Sequence, residues 1–247
     1  MARLLEYRFP GPDSDLTGHS LGNLLLTAMT QISGDFDKAI EETSRVLAIR
    51  GRVLPSTLDH VRLRAVYPDG SCAEGEVDIV EKGKEARVET LTLVPAHAKA
   101  MPEVLDAIEK AAAIIVGPGS LYTSILPNLL LPEVRRALET TRARRIYVCN
   151  VMTQPGETDH FTASDHVRAL VKHAGPRLFD TALINIESPS EETLERYVKE
   201  GAEWVRPDVD KIRQMGYRVI RGSFMNEGNL VRHDAEALAR AIIYLLR

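Results

Sequence analysis

The period of the apolar residues changes along the chain. From residue 102 onward, short and nearly continuous apolar runs alternate with segments whose apolar residues recur at helical spacing. The clearest runs are Ala113–Val116, Arg145–Met152 and Leu178–Glu187. Strands that are buried on both faces of a parallel sheet read in this way. The pattern therefore predicts an α/β, Rossmann-like fold, with a mostly parallel sheet and helices on both faces.

The segment at about 51–95 has a different pattern. Apolar and polar residues alternate from Val61 to Tyr67, and a turn signal follows at Pro68-Asp69-Gly70. Further strands are predicted at Ser71–Val80 and Val88–Val94. We therefore expect a small antiparallel β insert within the α/β fold.

Polar residues mark the expected starts of several helices. Ser20 precedes a run with helical spacing, and Ser164 is a plausible cap of the helix that ends near Ala174. Ser188-Pro189-Ser190-Glu191 reads as a capping box with proline at the first helical position.

A glycine turn follows the first apolar run. Ala113–Val116 leads into Gly117-Pro118-Gly119, and a helical pattern begins at Ser120. In such a turn, free backbone N–H groups and the positive end of a helix converge and can hold an anion, most often a phosphate. Thr123 and Ser124 add hydroxyl donors. The alternative is a plain strand-to-helix turn without a ligand.

Two further polar segments are candidates for the same pocket. Asn150, Thr153 and Gln154 lie at the carboxyl end of the second apolar run, where ligands of open α/β sheets bind. Near the amino terminus, His19, Ser20 and Asn23 lie at the start of a helix, flanked by glycines. In the alternative interpretation, Ser20 only caps this helix and Asn23 bonds to a nearby loop.

Composition narrows the function classes. The formal net charge of −4 over 247 residues does not favour a sequence-independent grip on nucleic acid. The two cysteines, Cys72 and Cys149, fit a reducing compartment. No apolar run approaches the roughly 20 residues of a membrane span, and the first residues lack a signal-peptide core. We therefore expect a cytoplasmic protein.

Four long segments carry a family resemblance. They read GHSLGNLLLTAMTQISGDF, RGRVLPSTL, VGPGSLYTSILPNLLLPEV and VCNVMTQPGETDHFTASDHV. Together they closely resemble the gluconeogenesis factor family, which is related to 2-phospho-L-lactate transferase. The family's amino-terminal Gly-Gly-Gly-Thr-Gly turn and its Asp-Asp-Gly-Gly segment have no counterpart here. We therefore expect a single, truncated Rossmann-like domain over residues 1–247.

The resemblance implies a sugar-nucleotide-binding regulator that links carbon metabolism to cell-wall precursor supply and cell shape. The implied ligand is UDP-N-acetylglucosamine, and the family is also described as able to bind NAD(P). The implied partner is a regulated enzyme of amino-sugar synthesis, and a homo-oligomer is a further expectation. No catalytic residue and no metal site are assigned. The alternative is an enzyme that transfers a phospholactyl group to a deazaflavin.

The resemblance also implies site residues. Gly117–Ser124, including Pro118 and Gly119, matches the family's loop on the diphosphate side, and residues 18–23 and 150–158 match its pocket-lining segments. Tyr197 and Arg232 match carboxyl-terminal positions that the family uses for its sugar nucleotide. The alternatives are a tyrosine packed on a helix surface and an arginine that only contacts solvent.

Overall fold

The structure, a computed structural model, describes residues 2–5, 7–9, 16–48, 50–228 and 230–246. The chain divides into two compact units, residues 1–58 and residues 59–247. A single domain over 1–247 stays a prediction.

The first unit is helical. It contains α1 (Ala2–Leu5), α2 (Leu21–Ser33) and α3 (Phe36–Val46). Ser20 caps α2, because its hydroxyl oxygen accepts a hydrogen bond from the Asn23 N–H at 3.2 Å. Gly34 ends the same helix in the left-handed conformation, with φ of 72°.

The second unit begins with an antiparallel sheet of three strands. These are β1 (Arg62–Val66), β2 (Cys72–Glu74) and β3 (Thr90–Val94), in the order β2-β1-β3. The antiparallel insert is thus confirmed, but the long second strand is wrong. Gly75, with φ of 91°, ends that strand, and helix α4 (Glu76–Gly83) follows with Ile79 buried.

The parallel sheet is also confirmed. It consists of β4 (Ala113–Val116), β5 (Arg144–Val148), β6 (Thr181–Asn185) and β7 (Arg218–Gly222). The strands lie in the order β4-β5-β6-β7, and each pair is parallel. The loops that follow these strands therefore meet at one edge of the sheet, here called the carboxyl edge.

Helices cover both faces of this sheet. On one face, Leu238 and Leu245 of α11 (Ala235–Leu246) pack with Ile146, Val148 and Leu183. The opposite face contributes to the larger core, which it shares with the antiparallel sheet and with several helices. The remaining helices are α5 (Pro102–Lys110), α6 (Leu126–Leu129), α7 (Pro132–Thr140), α8 (Ala163–Ala174), α9 (Glu191–Lys199) and α10 (Val209–Gln214), and a π-helical turn spans Leu121–Ile125.

Two predicted helix starts are wrong. Thr162, not Ser164, caps α8, in a capping box with Asp165. Ser190, not Ser188, caps α9, so that Pro189 lies outside the helix. In both cases a neighbouring hydroxyl lies closer to the free N–H groups of the helix.

A β-hairpin before α11 is absent from the sequence-based prediction. It pairs β8 (Met225–Glu227) with β9 (Val231–His233). Among the helices that the structure describes, none combines the length and the apolar character that crossing a bilayer requires.

Candidate functional site

The glycine turn after β4 and the loop after β5 are joined directly. The Gly119 N–H donates to the Asn150 side-chain oxygen at 3.3 Å, and the Asn150 side-chain nitrogen donates to the Gly119 carbonyl at 2.9 Å. This reciprocal pair holds the two loops together at the carboxyl edge. Asn150 is therefore a structural clamp of the turn.

The backbone conformation and the close neighbours of residue 117 require glycine at this position. Its φ is 76°, in the left-handed region, and it forms a cis peptide bond with Pro118. A Cβ at Gly117 would lie 3.0 Å from the Val148 carbonyl oxygen and 3.1 Å from the Ile125 side chain. Only glycine fits this position without strain.

A network of side-chain hydrogen bonds extends from the glycine turn into the loop after β5, here called the second loop. The Ser120 hydroxyl donates to the Gln154 side-chain oxygen at 2.6 Å, and the Gln154 side-chain nitrogen donates to Glu157 at 2.8 Å. The Thr123 hydroxyl also donates to Glu157, at 2.8 Å. The hydroxyl protons of Ser120 and Thr123 are thus committed within the protein.

Glu157 is the centre of this network. Only 4% of the residue is exposed, and its carboxylate accepts hydrogen bonds from the backbone N–H groups of Tyr122 at 2.8 Å and Thr123 at 3.3 Å. A buried carboxylate requires such partners, and charge-assisted bonds are the strong ones. The protein's own anion thus occupies part of the place that the sequence suggested for a ligand anion.

The expectation of a turn with free N–H groups is therefore wrong for Gly119, Tyr122 and Thr123. Among the hydrogen bonds of the described residues, none uses the N–H groups of Ser120 or Leu121. These two groups are the backbone donors that the turn can offer to a ligand.

Thr153 has an internal role. The residue is buried, its hydroxyl oxygen accepts from the Glu203 N–H at 2.8 Å, and its own N–H donates to the Glu203 carbonyl at 2.7 Å. These bonds attach the second loop to the segment before α10.

A cavity of about 380 Å³ opens beside the turn. Ser120, Thr123, Ser124 and Gln154 form one side of it, so it unites four of the predicted site residues. Helix α4 forms the other side. The helix that replaces the predicted strand therefore belongs to the candidate site.

Helix α4 packs against the second loop through two glycines. A Cβ at Gly156 would lie 2.2 Å from the Val80 carbonyl oxygen, and one at Gly83 would lie 1.7 Å from the Gly156 carbonyl oxygen. Neither distance is compatible with a side chain. The backbones of α4 and the loop thus touch, which fixes the width of the cavity.

The hairpin connects Tyr197 and Arg232 to the same edge. The Tyr197 hydroxyl oxygen accepts from the Val231 N–H at 2.8 Å, and His233 Nε2 lies 3.0 Å from the Cys149 carbonyl oxygen. Arg232 is exposed on β9 between these two contacts. The Arg196 guanidinium lies 5.7 Å from the centre of the Tyr197 ring.

His19, Ser20 and Asn23 belong to the first unit. His19 and Asn23 are exposed, and Ser20 caps α2 through the Asn23 N–H. The capping interpretation of Ser20 is thus confirmed, while ligand binding by the three residues stays a prediction.

Burial perturbs several groups of the second unit. Burial lowers the pKa values of His166 and His173, whose Nδ1 atoms lie 2.9 Å and 2.8 Å from backbone carbonyl oxygens of α8 or its cap. It also raises the pKa of Tyr122 to about 12. Within the described part of the chain, no three histidine, cysteine or acidic side chains converge as a metal-binding group.

Comparisons with known proteins identify the family. The family model described as 2-phospho-L-lactate transferase CofD matches residues 1–225. The gluconeogenesis factor of Bacillus subtilis (strain 168) is 45% identical over 245 residues, which cover 99% of this chain and 76% of that protein. The putative gluconeogenesis factor of Aquifex aeolicus (strain VF5) is 45% identical over 248 residues, or 100% of this chain and 75% of that protein.

The chain belongs to the gluconeogenesis factor family. A crystal structure of a UPF0052 family protein from Bacillus halodurans agrees with this assignment: its TM-score is 0.89 at 43% identity, covering 98% of this chain and 77% of that chain. The resemblance of the four quoted segments is thereby confirmed. So is the relation to the transferase family.

Two features of the site were not predicted from the sequence. Glu157 lies within the predicted pocket-lining segment 150–158, but its role as a buried acceptor for the turn was not predicted. Helix α4 was hidden because Val77, Ile79 and Val80 are compatible with both a strand and a helix.

Proposed function

We propose that this protein is a cytoplasmic regulator that binds UDP-N-acetylglucosamine at the carboxyl edge. Binding, and not turnover, would link carbon metabolism to cell-wall precursor supply and cell shape. One observation carries the proposal. Asn150, Gln154 and Glu157 brace the glycine turn at the carboxyl edge, and the turn forms one side of a polar cavity.

Two kinds of donor, backbone N–H groups and a guanidinium, suit a diphosphate. The N–H groups of Ser120 and Leu121 are available at the turn, and Arg232 can bind a phosphate through two parallel hydrogen bonds. Charge-assisted hydrogen bonds contribute about 1.5–3 kcal/mol each before the entropic cost of association. A few such bonds are enough for micromolar affinity. Tyr197 holds the hairpin through Val231, and this contact would position Arg232.

Isothermal titration calorimetry with UDP-N-acetylglucosamine tests the proposal. We expect micromolar binding, and a loss of about tenfold in affinity for Arg232→Ala, since a phosphate contact disappears. Arg240→Ala, which removes an exposed arginine of α11, is the matched control and should bind like the unchanged protein. Absence of heat at millimolar ligand would contradict the proposal.

A phospholactyl transferase is the second candidate, because the transferase family model matches residues 1–225. The assay combines a guanosine-linked phospholactate donor, a deazaflavin precursor and Mg²⁺. Formation of the phospholactyl product would reverse the order of the two candidates.

The proposed regulatory output involves an enzyme of amino-sugar synthesis. A pull-down with and without the nucleotide sugar would reveal that partner, and light scattering would test a homo-oligomer. Binding of NAD(P) to the protein would be tested by the same calorimetric titration.

A further inference from the structure

The cavity between α4 and the glycine turn differs in chemistry from a phosphate site. Glu76 and Glu81 of α4 line it, and neither lysine nor arginine is found among its lining residues in the described part of the chain. Lys84 pairs with Glu81 at 2.7 Å and offsets one of these charges only in part. The negative charge of Glu76 is exposed to the cavity and would repel an anion.

The opposite wall is polar and uncharged. Because the hydroxyl protons of Ser120 and Thr123 point to Gln154 and Glu157, these two oxygens can meet a ligand only as hydrogen-bond acceptors. The carboxylates of α4 are also acceptors. Ser124 and the second amide hydrogen of Gln154 can still donate, so a matching ligand supplies both donors and acceptors and carries no negative charge.

The α4 wall also has an apolar element. Val77, which is 74% exposed, and Val80 line the cavity together with the two carboxylates. A saturated ring with hydroxyl groups on its rim offers C–H groups to such residues and donors to the surrounding acceptors. The volume of about 380 Å³ lies within the ordinary range for small-ligand sites.

We propose that this cavity binds the sugar of the nucleotide sugar, and that the acidic wall of α4 selects uncharged or amino sugars over acidic ones. This inference rests on the proposed function. It places the diphosphate outside the cavity, at the Ser120 and Leu121 N–H groups, and makes Glu76 and Glu81 specificity-determining residues.

Calorimetric titrations with UDP, UDP-N-acetylglucosamine and UDP-glucuronic acid test it. We expect UDP-glucuronic acid to bind about tenfold more weakly than UDP-N-acetylglucosamine, because its carboxylate would face those of α4. The double variant Glu76→Gln/Glu81→Gln should reduce this preference to within about threefold. Asp78→Asn removes the same kind of charge from α4 at a residue that does not line the cavity, and should keep the full preference.

Two results would overturn the inference. One is equal affinity of the unchanged protein for both sugar nucleotides, with UDP itself binding, which would leave the proposed function intact. The other is an equal effect of Asp78→Asn and of the double variant. If none of the three nucleotides binds at millimolar concentration, both the inference and the proposed function fail.

Discussion

At the residue scale, Glu157 gives the site its order. Its buried carboxylate joins Tyr122 and Thr123 of the π-helical turn to Gln154 of the loop after β5. An internal anion at this place explains how a polar turn stays folded without a ligand. It also limits the backbone donors that a ligand can reach.

The variant Glu157→Gln tests this role. The amide group would turn a donor toward at least one of the N–H or O–H groups that now donate to the carboxylate, and unpaired buried groups cost about 1–3 kcal/mol each. We expect the free energy of unfolding, measured in urea, to fall by about that amount. Glu195→Gln, on the exposed side of α9, is the control. Equal stability of the two variants would argue against the central position of Glu157.

The buried histidines predict a pH dependence. Burial lowers the pKa values of His166 and His173 in the folded protein, whereas a histidine in the unfolded chain has a pKa of about 6.5. Between the lowered folded values and about 6.5 the unfolded state binds more protons, so the free energy of unfolding rises with pH in that window. We expect the protein to be less stable at about pH 5.5 than at about pH 7.5.

The control for this dependence is a matched pair of variants. His166→Asn keeps a donor near the Thr162 carbonyl but does not titrate, and it should show a smaller difference between the two pH values. His60→Asn changes an exposed histidine and should retain the full difference. A stability that rises on acidification over this range would contradict the assignment.

At the element scale, α4 and the loop after β5 act as one wall. The contact between Gly83 and Gly156 lets two backbones approach more closely than any side chain allows. The width of the cavity therefore depends on a pair of glycines. Any Cβ between them would push α4 away from Gln154 and Glu157.

Gly156→Ala tests this contact. Gly156 and Gly70 have φ values of 80° and 79°, so alanine is strained to a similar degree at both, but nothing lies within 4 Å of a Cβ at Gly70. We expect Gly156→Ala to cost about 1–3 kcal/mol more than Gly70→Ala, since overpacking adds to the backbone strain. It should also weaken binding of UDP-N-acetylglucosamine. Equal stabilities of the two variants would contradict this prediction, because they would show that the loop moves to accept a Cβ at no cost in stability.

The same elements show what could be read from the sequence. The parallel strands were predictable because nearly continuous apolar runs such as Arg145–Met152 are typical of strands that are buried on both faces of a sheet. The strand at Ser71–Val80 was wrong because Gly75 broke it and short apolar segments fit either period. The caps at Thr162 and Ser190 were missed by two residues, since several hydroxyls compete at each helix start.

The position of the site could be predicted from the sequence, but the hydrogen-bonding groups that it offers to a ligand could not. The order of strands and loops brings residues 117–124 and Asn150 to one edge, as parallel topology requires. Which groups are already bonded to each other depends on side-chain contacts across the fold. For that reason Ser120 and Thr123 read as ligand donors in the sequence, although their protons are bound by Gln154 and Glu157.

At the scale of the whole molecule, the carboxyl edge collects the candidate residues of the second unit. The glycine turn is bonded to the loop after β5, α4 faces the turn across the cavity, and the hairpin contacts Cys149 at the end of β5. Under the proposed function, the turn and Arg232 would bind the diphosphate, and the α4 cavity would bind the sugar. Such a division requires one extended ligand with an anionic middle and a neutral end.

A crystal structure of the complex with UDP-N-acetylglucosamine tests this division most directly. We expect the diphosphate within hydrogen-bonding distance of the Ser120 and Leu121 N–H groups, with the sugar between the turn and α4. A nucleotide bound away from residues 117–124, with those N–H groups still facing only the protein, would contradict it.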